Sequence, residues 1–302
     1  EHNSMYHCAL MLEKGIGTEK NMKEAISYFK KAAEKGETKS IYRYAQILDE
    51  GIEGIEVEID KEKACQYYKI AAEKGEINAM YQYGMMLENG KHVDKDKKKA
   101  FQYYKESADK GQIKSMYRYA RMLEHGISTD KNKKEAIEIY KKAAEEGEID
   151  ALYHYARMIE HGIETNLDKE KALNFYLKCA KEGHVKAMFK CGFMLDHGIG
   201  TQINKEEALN YYKMAAEKDD INALEQYGYF LEHGICLKKD IEKALDLYNL
   251  AASKGSKSAE NKYLKILERK ENEKKEKSKL FFAIFVIEII LIIDFLLLYL
   301  RF

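Results

Sequence analysis

The sequence predicts an all-α fold: a solenoid of about seven two-helix repeats, followed by one C-terminal transmembrane helix. Two glycine landmarks and an apolar C-terminal segment predict it. A pair of small residues with Gly three positions later recurs along the chain, and so does a single Gly after an apolar segment. Both landmarks step by 36 residues, apart from one step of 39. A fixed period of this length is typical of solenoids, and Pro, which breaks helices, is absent.

The two landmarks divide residues 1–257 into repeats of the same design. Both series place the three extra residues between Gly51 and Ala71, which predicts a lengthened loop there. The glycines after the small pairs are Gly36, Gly75, Gly111, Gly147, Gly183 and Gly255, and the single glycines are Gly15, Gly51, Gly90, Gly126, Gly162, Gly198 and Gly234. The predicted repeats cover about 4–36, 40–75, 79–111, 115–147, 151–183, 187–219 and 223–255.

Each repeat reads as two helices. In the first, Ala79, Tyr83 and Leu87 share a face and the helix ends at Gly90. In the second, apolar residues again recur at helical spacing, and Gly111 fits a C-terminal position that needs a positive φ. An Asp or Asn precedes each second helix as a candidate N-cap. These candidates are Asn21, Asp60, Asp94 or Asp96, Asn132, Asp168, Asn204 and Asp240.

The sixth repeat and the C-terminus depart from this pattern. Asp219 replaces the terminal Gly and Glu225 replaces the usual Tyr, so we expect a less regular junction there. Residues 258–279 begin an eighth first helix and become strongly charged, as a capping helix would. Residues 280–300 are apolar apart from Glu288 and Asp294, and at 1.5 Å per residue they are long enough to cross a bilayer of about 30 Å.

The composition argues against several classes of function. Lys plus Arg and Asp plus Glu both number 51, so the chain lacks the positive charge typical of nucleic-acid binders. The five Cys occupy unmatched positions, which indicates neither a disulfide framework nor a zinc site, although Cys179 and Cys191 could bridge in an oxidising compartment. No nucleophile–base set, phosphate loop or dinucleotide motif appears. We therefore expect no catalytic residues, no metal and no cofactor.

The repeat motif resembles that of a known family. The pattern A-x-Y-x-Y-G-x-x-L-E-x-G followed by D-x-x-K-A-x-x-Y-Y-x-x-A-A-x-x-G is similar to the Sel-1-like repeat, although the second Gly after the first helix survives only at Gly17 and Gly200. The resemblance implies a right-handed superhelix with a concave surface, and an adaptor that assembles protein complexes. One membrane member belongs to the ubiquitin-ligase complex of endoplasmic-reticulum-associated degradation, so the resemblance also implies that membrane.

We expect the residues that select a partner to lie at positions where the repeats differ. One stripe of the first helices, which the resemblance places on the concave face, changes from repeat to repeat. Because its middle part is basic, we expect it to bind an extended acidic segment of a partner. The alternative is a solvated face balanced by the adjacent Glu124 and Glu160. The stripe comprises Arg43, Gln82, Arg118, Arg121, His154, Arg157, Lys190, Phe193, Gln226 and Tyr229.

Two other recurring features are better explained structurally. A histidine column ends the first helices, where neighbouring helices about 10 Å apart would hold its members too far apart to share a zinc ion. We expect these rings to interact with the helix C-terminus instead. Tyr-Tyr pairs in the second helices are expected to pack between helices. The column is His125, His161, His197 and His233, and the pairs are Tyr67-Tyr68, Tyr103-Tyr104 and Tyr211-Tyr212.

The membrane role of the apolar segment 280–300 has more than one interpretation. Glu288 and Asp294 are either tolerated in lipid or contact a partner membrane helix. Five Lys residues within 270–279 precede the segment and only Arg301 follows it, which favours repeats on the cytosolic side of the endoplasmic reticulum. A luminal orientation would need a signal peptide, and the chain starts without Met, inside a repeat. The functional hypotheses are a membrane-anchored adaptor, for which the resemblance implies a role in degradation, a tethered regulatory scaffold, or an accessory subunit of an enzyme.

Overall fold

The computed structural model describes residues 2–55 and 57–299, and over these residues all the regular elements are α-helices. In chain order they are α1 His2–Lys14, α2 Met22–Glu34, α3 Thr38–Glu50, α4 Lys61–Glu73, α5 Ile77–Asn89, α6 Lys97–Asp109, α7 Ile113–His125, α8 Lys133–Glu145, α9 Ile149–Glu160, α10 Lys169–Lys181, α11 Val185–His197, α12 Lys205–Ala216, α13 Ile221–His233, α14 Ile241–Ser253 and α15 Lys257–Tyr299. The predicted alternation of first and second helices is confirmed.

The helices form two compact units, divided between Phe175 and Tyr176. In the first unit the helices from α1 to α9 pack in succession, α1 against α2 and so on to α8 against α9. In the second unit α11 to α15 do the same. This neighbour-to-neighbour packing is what an α-solenoid requires, because no single helix pair can bury its own apolar face.

The ends of the helices follow the predicted caps. The Asp or Asn before each second helix accepts the backbone N–H three residues later at 2.9–3.2 Å, and the residue used is Asp96 rather than Asp94. Gly111 has φ +91°, as the turn to the next repeat requires. At the sixth repeat Asp219 adopts the same left-handed conformation with φ +66°.

The lengthened loop between α3 and α4 packs back on the first repeat. Ile52 and Val57 contact a core cluster formed by Ala9, Phe29 and Ile47 with neighbouring side chains. Ile52 also forms an isolated antiparallel bridge with Ile55. The extra residues therefore add apolar surface to the first repeat.

Tyrosine fills the space between the two helices of a repeat. The second residue of each predicted Tyr-Tyr pair is fully buried, and Tyr140, Tyr176 and Tyr248 are buried in the same way. Where the first helix carries Gly, the tyrosine ring occupies the space of the missing side chain. A Cβ at Gly84 would lie 2.9 Å from the Tyr104 ring, and one at Gly192 would lie 2.8 Å from the Tyr212 ring. The predicted packing role of the pairs is confirmed.

The C-terminal segment forms one continuous helix, α15. Ala259 and Ile266 are buried at its start, whereas residues 280–290, 292 and 293 are exposed. Within the described part of the chain, no helix has the length and apolar character needed to cross a membrane, so the predicted span is not supported there. That span, 280–300, extends beyond the described residues. The side chain of Asp294 also lies outside the description, whereas Glu288 is exposed.

Candidate functional site

The predicted stripe lies on the first helices in both units. In the first unit it runs over α3, α5, α7 and α9, and its side chains are half-buried. In the second unit it runs over α11 and α13, where Lys190, Phe193 and Gln226 are half-buried and Tyr229 is exposed. The two parts differ in their chemistry.

A row of acidic side chains, which the sequence reasoning had not singled out, accompanies the stripe. One Asp or Glu stands near the end of each first helix, directly after its last apolar residue. In the first unit Glu88, Glu124 and Glu160 are buried. A buried carboxylate needs hydrogen bonds or a counter-charge to stay ionised. The full row is Glu13, Asp49, Glu88, Glu124 and Glu160 in the first unit, and Asp196 and Glu232 in the second.

Glu124 is held by two elements other than its own helix. Tyr140 on α8 donates its hydroxyl to Oε2 at 3.0 Å, and Arg157 on α9 donates a guanidinium N–H to Oε1. His154 Nδ1 lies 3.5 Å from Oε2. Burial would raise the pKa of Glu124, but His154, Arg157 and Tyr140 outweigh burial and lower the pKa to about 2. Glu124 is therefore ionised at neutral pH.

His154 belongs to the interior of this arrangement. Its ring stacks on Tyr140, with centroids 5.1 Å apart and planes at 16°. Burial lowers the pKa of His154, although the nearby Glu124 carboxylate acts in the opposite direction. His154 is therefore neutral at pH 7, and Arg157 supplies the positive charge that faces Glu124.

Glu88 is held in the same way, but by two guanidinium groups. Tyr104 donates its hydroxyl at 2.9 Å, and Arg121 Nη2 donates at 2.8 Å. Arg118 Nη1 lies 3.5 Å from the same carboxylate. Because two positive charges share one negative charge, the stripe keeps a positive surplus at this point. Arg43 forms a similar ion pair with Glu13.

One of the two acids that the sequence indicated, Glu124, does balance a basic residue of the stripe, because it pairs with Arg157 of the next repeat. Arg121 pairs with an acid that the sequence had not indicated, Glu88 on α5. The pairing joins one repeat to the next because stacked first helices bring residues 33 positions apart together. The recurrence of the acid after Leu or Ile in each repeat was the signal that could have revealed it.

In the second unit the stripe becomes aromatic. Phe193 stacks on His197 with ring centroids 4.3 Å apart, and Tyr229 packs against His233 at 4.2 Å. Each histidine Nδ1 lies within 3.0 Å of the backbone carbonyl of its aromatic partner, four residues earlier. For these two rings, the predicted interaction with the helix C-terminus is confirmed.

Glu225, expected to make its junction less regular, instead ties α13 to α15. Its carboxylate accepts Ser256 Oγ at 3.0 Å, Ser258 Oγ at 2.6 Å and Lys262 Nζ at 2.7 Å. The backbone at this junction keeps the regular turn, with Asp219 in place of Gly.

The other histidines pair with their sequence neighbours. His125 Nε2 lies 3.8 Å from Glu124, and His161 Nε2 lies 3.7 Å from Glu160. Among the described residues, no group of three or more His, Cys, Asp or Glu side chains is arranged to hold a metal ion. Of the cysteines, Cys65, Cys179 and Cys191 are buried, and Cys8 and Cys236 are exposed.

An open groove adjoins the stripe in the first unit. It has a volume of about 450 Å³ and runs past the first residues of α5 and α7 and the turn that precedes α9. Tyr42, Tyr81 and Gln82 line one part of it, and Lys114 and Glu148 line another. Its shape suits an extended chain better than an enclosed small molecule.

Comparisons with known proteins identify the repeat. The Sel1 repeat family model matches seven successive segments, at residues 2–37, 38–76, 77–112, 113–148, 149–184, 185–220 and 221–256. No match was found among curated proteins.

Two solved structures are similar to this chain. One is a protective antigen of uropathogenic Escherichia coli, with a TM-score of 0.71 and 25% identity over 87% of this chain. This chain spans 56% of that antigen, little more than half its length. The other is a Sel1 repeat protein from Oxalobacter formigenes, with a TM-score of 0.69 and 24% identity over 88% of this chain and 76% of that one. With seven matched repeats covering most of its length, the chain belongs to the Sel1 repeat family.

Proposed function

We propose that the chain is a non-catalytic scaffold for protein–protein interaction. It binds its partners through the variable stripe on its first helices. The observation that carries this proposal is that packing residues and variable surface residues occupy separate positions within each repeat. Tyrosine, alanine and glycine positions build the packing, whereas the stripe beside the open groove carries side chains that differ between repeats. Solenoids of this kind use such extended surfaces for binding.

For the first unit we infer that the partner offers an acidic extended segment. The support is the surplus positive charge around Glu88, where Arg118 makes the longer contact. A guanidinium group has five N–H donors, so Arg118 retains donors for a second carboxylate. Arg157 is a weaker candidate, because Glu124 already balances its charge.

A photo-crosslinking amino acid placed at Gln82 tests the scaffold itself. On the stripe it is expected to give defined adducts with partner proteins in cells, identified by mass spectrometry. The matched control is the same amino acid at Lys141, which is exposed on the second helix α8. Equal adducts from both positions would contradict a binding stripe.

Arg118→Gln tests the acidic segment. The change leaves the shorter Arg121–Glu88 bond in place, so the fold is preserved. Binding of a labelled peptide of alternating Glu and Gly is expected to weaken several-fold, while Lys141→Gln leaves it unchanged. Unchanged binding by Arg118→Gln would remove the acidic segment from the proposal and leave the scaffold standing.

A second proposal concerns membrane attachment. We propose that the exposed apolar part of α15, which includes Phe281, Phe282 and Ile287, lies in lipid, with the preceding lysines at a cytosolic surface of the endoplasmic reticulum. Membership of a degradation complex there rests on the family resemblance. Flotation with liposomes tests attachment: the full chain is expected to float and a chain of residues 1–279 to remain behind. Protease protection of the repeats in intact microsomes would contradict the cytosolic orientation.

A further inference from the structure

The first unit shows what its acidic row binds. Glu13, Glu88 and Glu124 each form an ion pair with an arginine from the next repeat, and these arginines are Arg43, Arg121 and Arg157. Where a neighbouring repeat supplies a guanidinium group, the acid at this position takes it. A planar guanidinium suits a carboxylate because it can donate two parallel N–H groups.

In the second unit Glu232 lies 3.8 Å from Arg269, but at Asp196 the acid remains and the arginine is missing. Asp196 stands in the acidic row, and Gln226 and Tyr229 occupy the positions that Arg118 and Arg121 hold with respect to Glu88. The carboxylate contacts Lys205, a half-exposed side chain from the same repeat, at 3.0 Å. The hydroxyl of Tyr212, which is fully buried, interacts with the Asp196 carboxylate without forming a hydrogen bond of regular geometry, and His197 Nδ1 lies 3.9 Å from the same carboxylate. Asp196 thus lacks the arginine from the next repeat that holds Glu124, and its contact with the tyrosine hydroxyl is weaker.

The surroundings of Asp196 are suited to a guanidinium group. Phe193 and Tyr229 lie on the same stripe, and Tyr229 is 38% exposed. The Tyr229 ring already attracts one cation, Lys262 Nζ, at 5.7 Å from its centroid. Aromatic faces attract guanidinium groups, which stack on them more readily than ammonium groups do.

The two histidines add acceptors to these rings. Their Nδ1 atoms contact backbone carbonyls. Because a carbonyl oxygen can only accept, each Nδ1 carries the proton, and Nε2 of the neutral ring is left as an acceptor. Both histidines are exposed.

We propose that Phe193, Asp196, His197, Tyr229 and His233 form an arginine-binding surface, which takes an arginine side chain from an extended segment of a partner protein. The guanidinium group stacks on an aromatic ring and donates N–H groups to the Asp196 carboxylate and to histidine Nε2. The surface rests on the proposed scaffold function and gives its second unit a partner of stated chemistry. It requires an arginine-bearing segment, whereas the surface around Glu88 requires an acidic one.

Fluorescence anisotropy with the full chain tests this surface. The probe is a labelled nine-residue peptide of alternating Arg and Gly, compared with the same peptide carrying Lys in place of Arg. The arginine peptide is expected to bind more tightly than the lysine peptide, since only a guanidinium group is planar. Tyr229→Ala and Asp196→Asn are each expected to weaken binding on the order of tenfold, and Tyr229→Phe is expected to retain it.

The matched control is Asp49→Asn in the first unit. Asp49 is the other Asp of the acidic row, and the following repeat gives it Gln82 and Met85, without an aromatic ring. This variant is expected to bind the arginine peptide as the parent chain does. Equal loss in Asp49→Asn and Asp196→Asn, or equal binding of the two peptides, would overturn the proposal. Partner adducts at Gln82 without arginine-peptide binding would refute this surface alone, whereas loss of both would refute the scaffold as well.

Discussion

The length of one acidic side chain determines how well the hydroxyl of a buried tyrosine is hydrogen-bonded. Tyr104, Tyr140 and Tyr248 each donate their hydroxyl to the glutamate sixteen residues earlier, at 2.9–3.0 Å. At Tyr68 and Tyr212 the acid is Asp49 or Asp196, and these hydroxyls interact with the aspartate without forming a hydrogen bond of regular geometry. Aspartate is one methylene shorter than glutamate, so it offers the hydroxyl a poorer acceptor position. An unsatisfied buried hydroxyl costs about 1–3 kcal/mol.

Removing the hydroxyl should therefore have opposite consequences in two repeats of the same unit. Tyr140→Phe is expected to lower the free energy of unfolding by about 1–2 kcal/mol, because Glu124 loses a donor. Tyr68→Phe is expected to be neutral or slightly stabilising, because its hydroxyl makes no hydrogen bond of regular geometry with Asp49. Urea unfolding followed by circular dichroism measures both. Equal losses in the two variants would show that the Tyr68 hydroxyl has a partner after all.

The buried ion pair at Glu124 makes the free energy of unfolding depend on pH in the acidic range. Its pKa is about 2 in the folded chain, against 4.5 for an ordinary glutamate. A depressed pKa stabilises the fold above pH 4.5, and that stabilisation is lost as the pH falls from 4.5 towards 2. A shift of this size corresponds to about 3 kcal/mol.

The measurement compares the parent chain with Glu124→Gln in urea at pH 7 and pH 2.5. The parent is expected to lose more stability between the two pH values, since only it has the carboxylate to protonate. The variant is expected to be less stable at pH 7 because Arg157 is left without its counter-charge. Parallel losses in both chains would show that other carboxylates cause the acid sensitivity.

The residues of the stripe were predictable from the sequence, but their partners were not. Helical spacing placed Arg118 and Arg121 on one side of α7, and the structure agrees. The contact of Arg121 with Glu88 depends on how adjacent repeats stack, which no local pattern records. The same applies to the burial of His154 against Tyr140.

At the scale of the helix, the turns between repeats are specified by left-handed backbone positions. Gly147 and Gly183, like the other glycines that end a repeat, have φ near +90°, and Asp219 takes their place with φ +66°. Similar strain occurs after the first helices, where His92 and Ser128 have φ +58° and +62°. Gly adopts this region freely, whereas other residues adopt it at a cost.

Asp219→Gly is expected to raise the stability of the second unit by about 0.5–1 kcal/mol. The variant also removes the 3.3 Å ion pair with Lys254, but exposed pairs contribute little. Thermal unfolding provides the measurement, and Gly111→Asp in the first unit is the reverse control, expected to destabilise by a similar amount. A destabilised Asp219→Gly chain would assign a structural role to the aspartate carboxylate.

Helix boundaries were the most predictable part of the fold. Asn21 and Asp240 cap their helices as predicted, because an N-cap needs only a side chain of the right type at the right position. The left-handed positions at Glu164 and Cys236 were not predicted, since neither residue type signals a positive φ. Their conformation follows from the repeat, in which Gly17 and Gly200 hold the equivalent places.

Successive repeats carry matching residues at their junctions. Where the acid of one repeat is Glu88 or Glu124, the next repeat supplies Arg121 or Arg157. Where it is Asp196, the next repeat carries Gln and Tyr at the corresponding positions. The junctions at Glu88 and Glu124, each with an arginine, and the junction at Asp196, without one, complete the same position of the repeat in two ways.

At the scale of the whole molecule, the last helix has two different parts. Its start completes the second unit: Ala259 and Ile266 are buried, and Lys262 and Lys270 form ion pairs with Glu225 and Glu242. In its apolar part the described side chains, residues 280–290, 292 and 293, are exposed, Leu280 and Phe285 among them. The sequence predicted both the capping segment and the change of character, but it did not predict a single unbroken helix, because the charged residues between them look the same in a helix or a linker.

Two shortened chains separate these parts. A chain of residues 1–279 keeps the buried start of α15, so we expect its urea midpoint to match that of the full chain. A chain of residues 1–256 loses that cover and exposes the apolar face of α14, and its second unit is expected to lose a few kcal/mol of stability. The first unit provides the internal reference, because its helices pack pairwise without α15. If the 1–279 chain also lost stability, the apolar segment would have to pack on the repeats, and its proposed place in lipid would no longer hold.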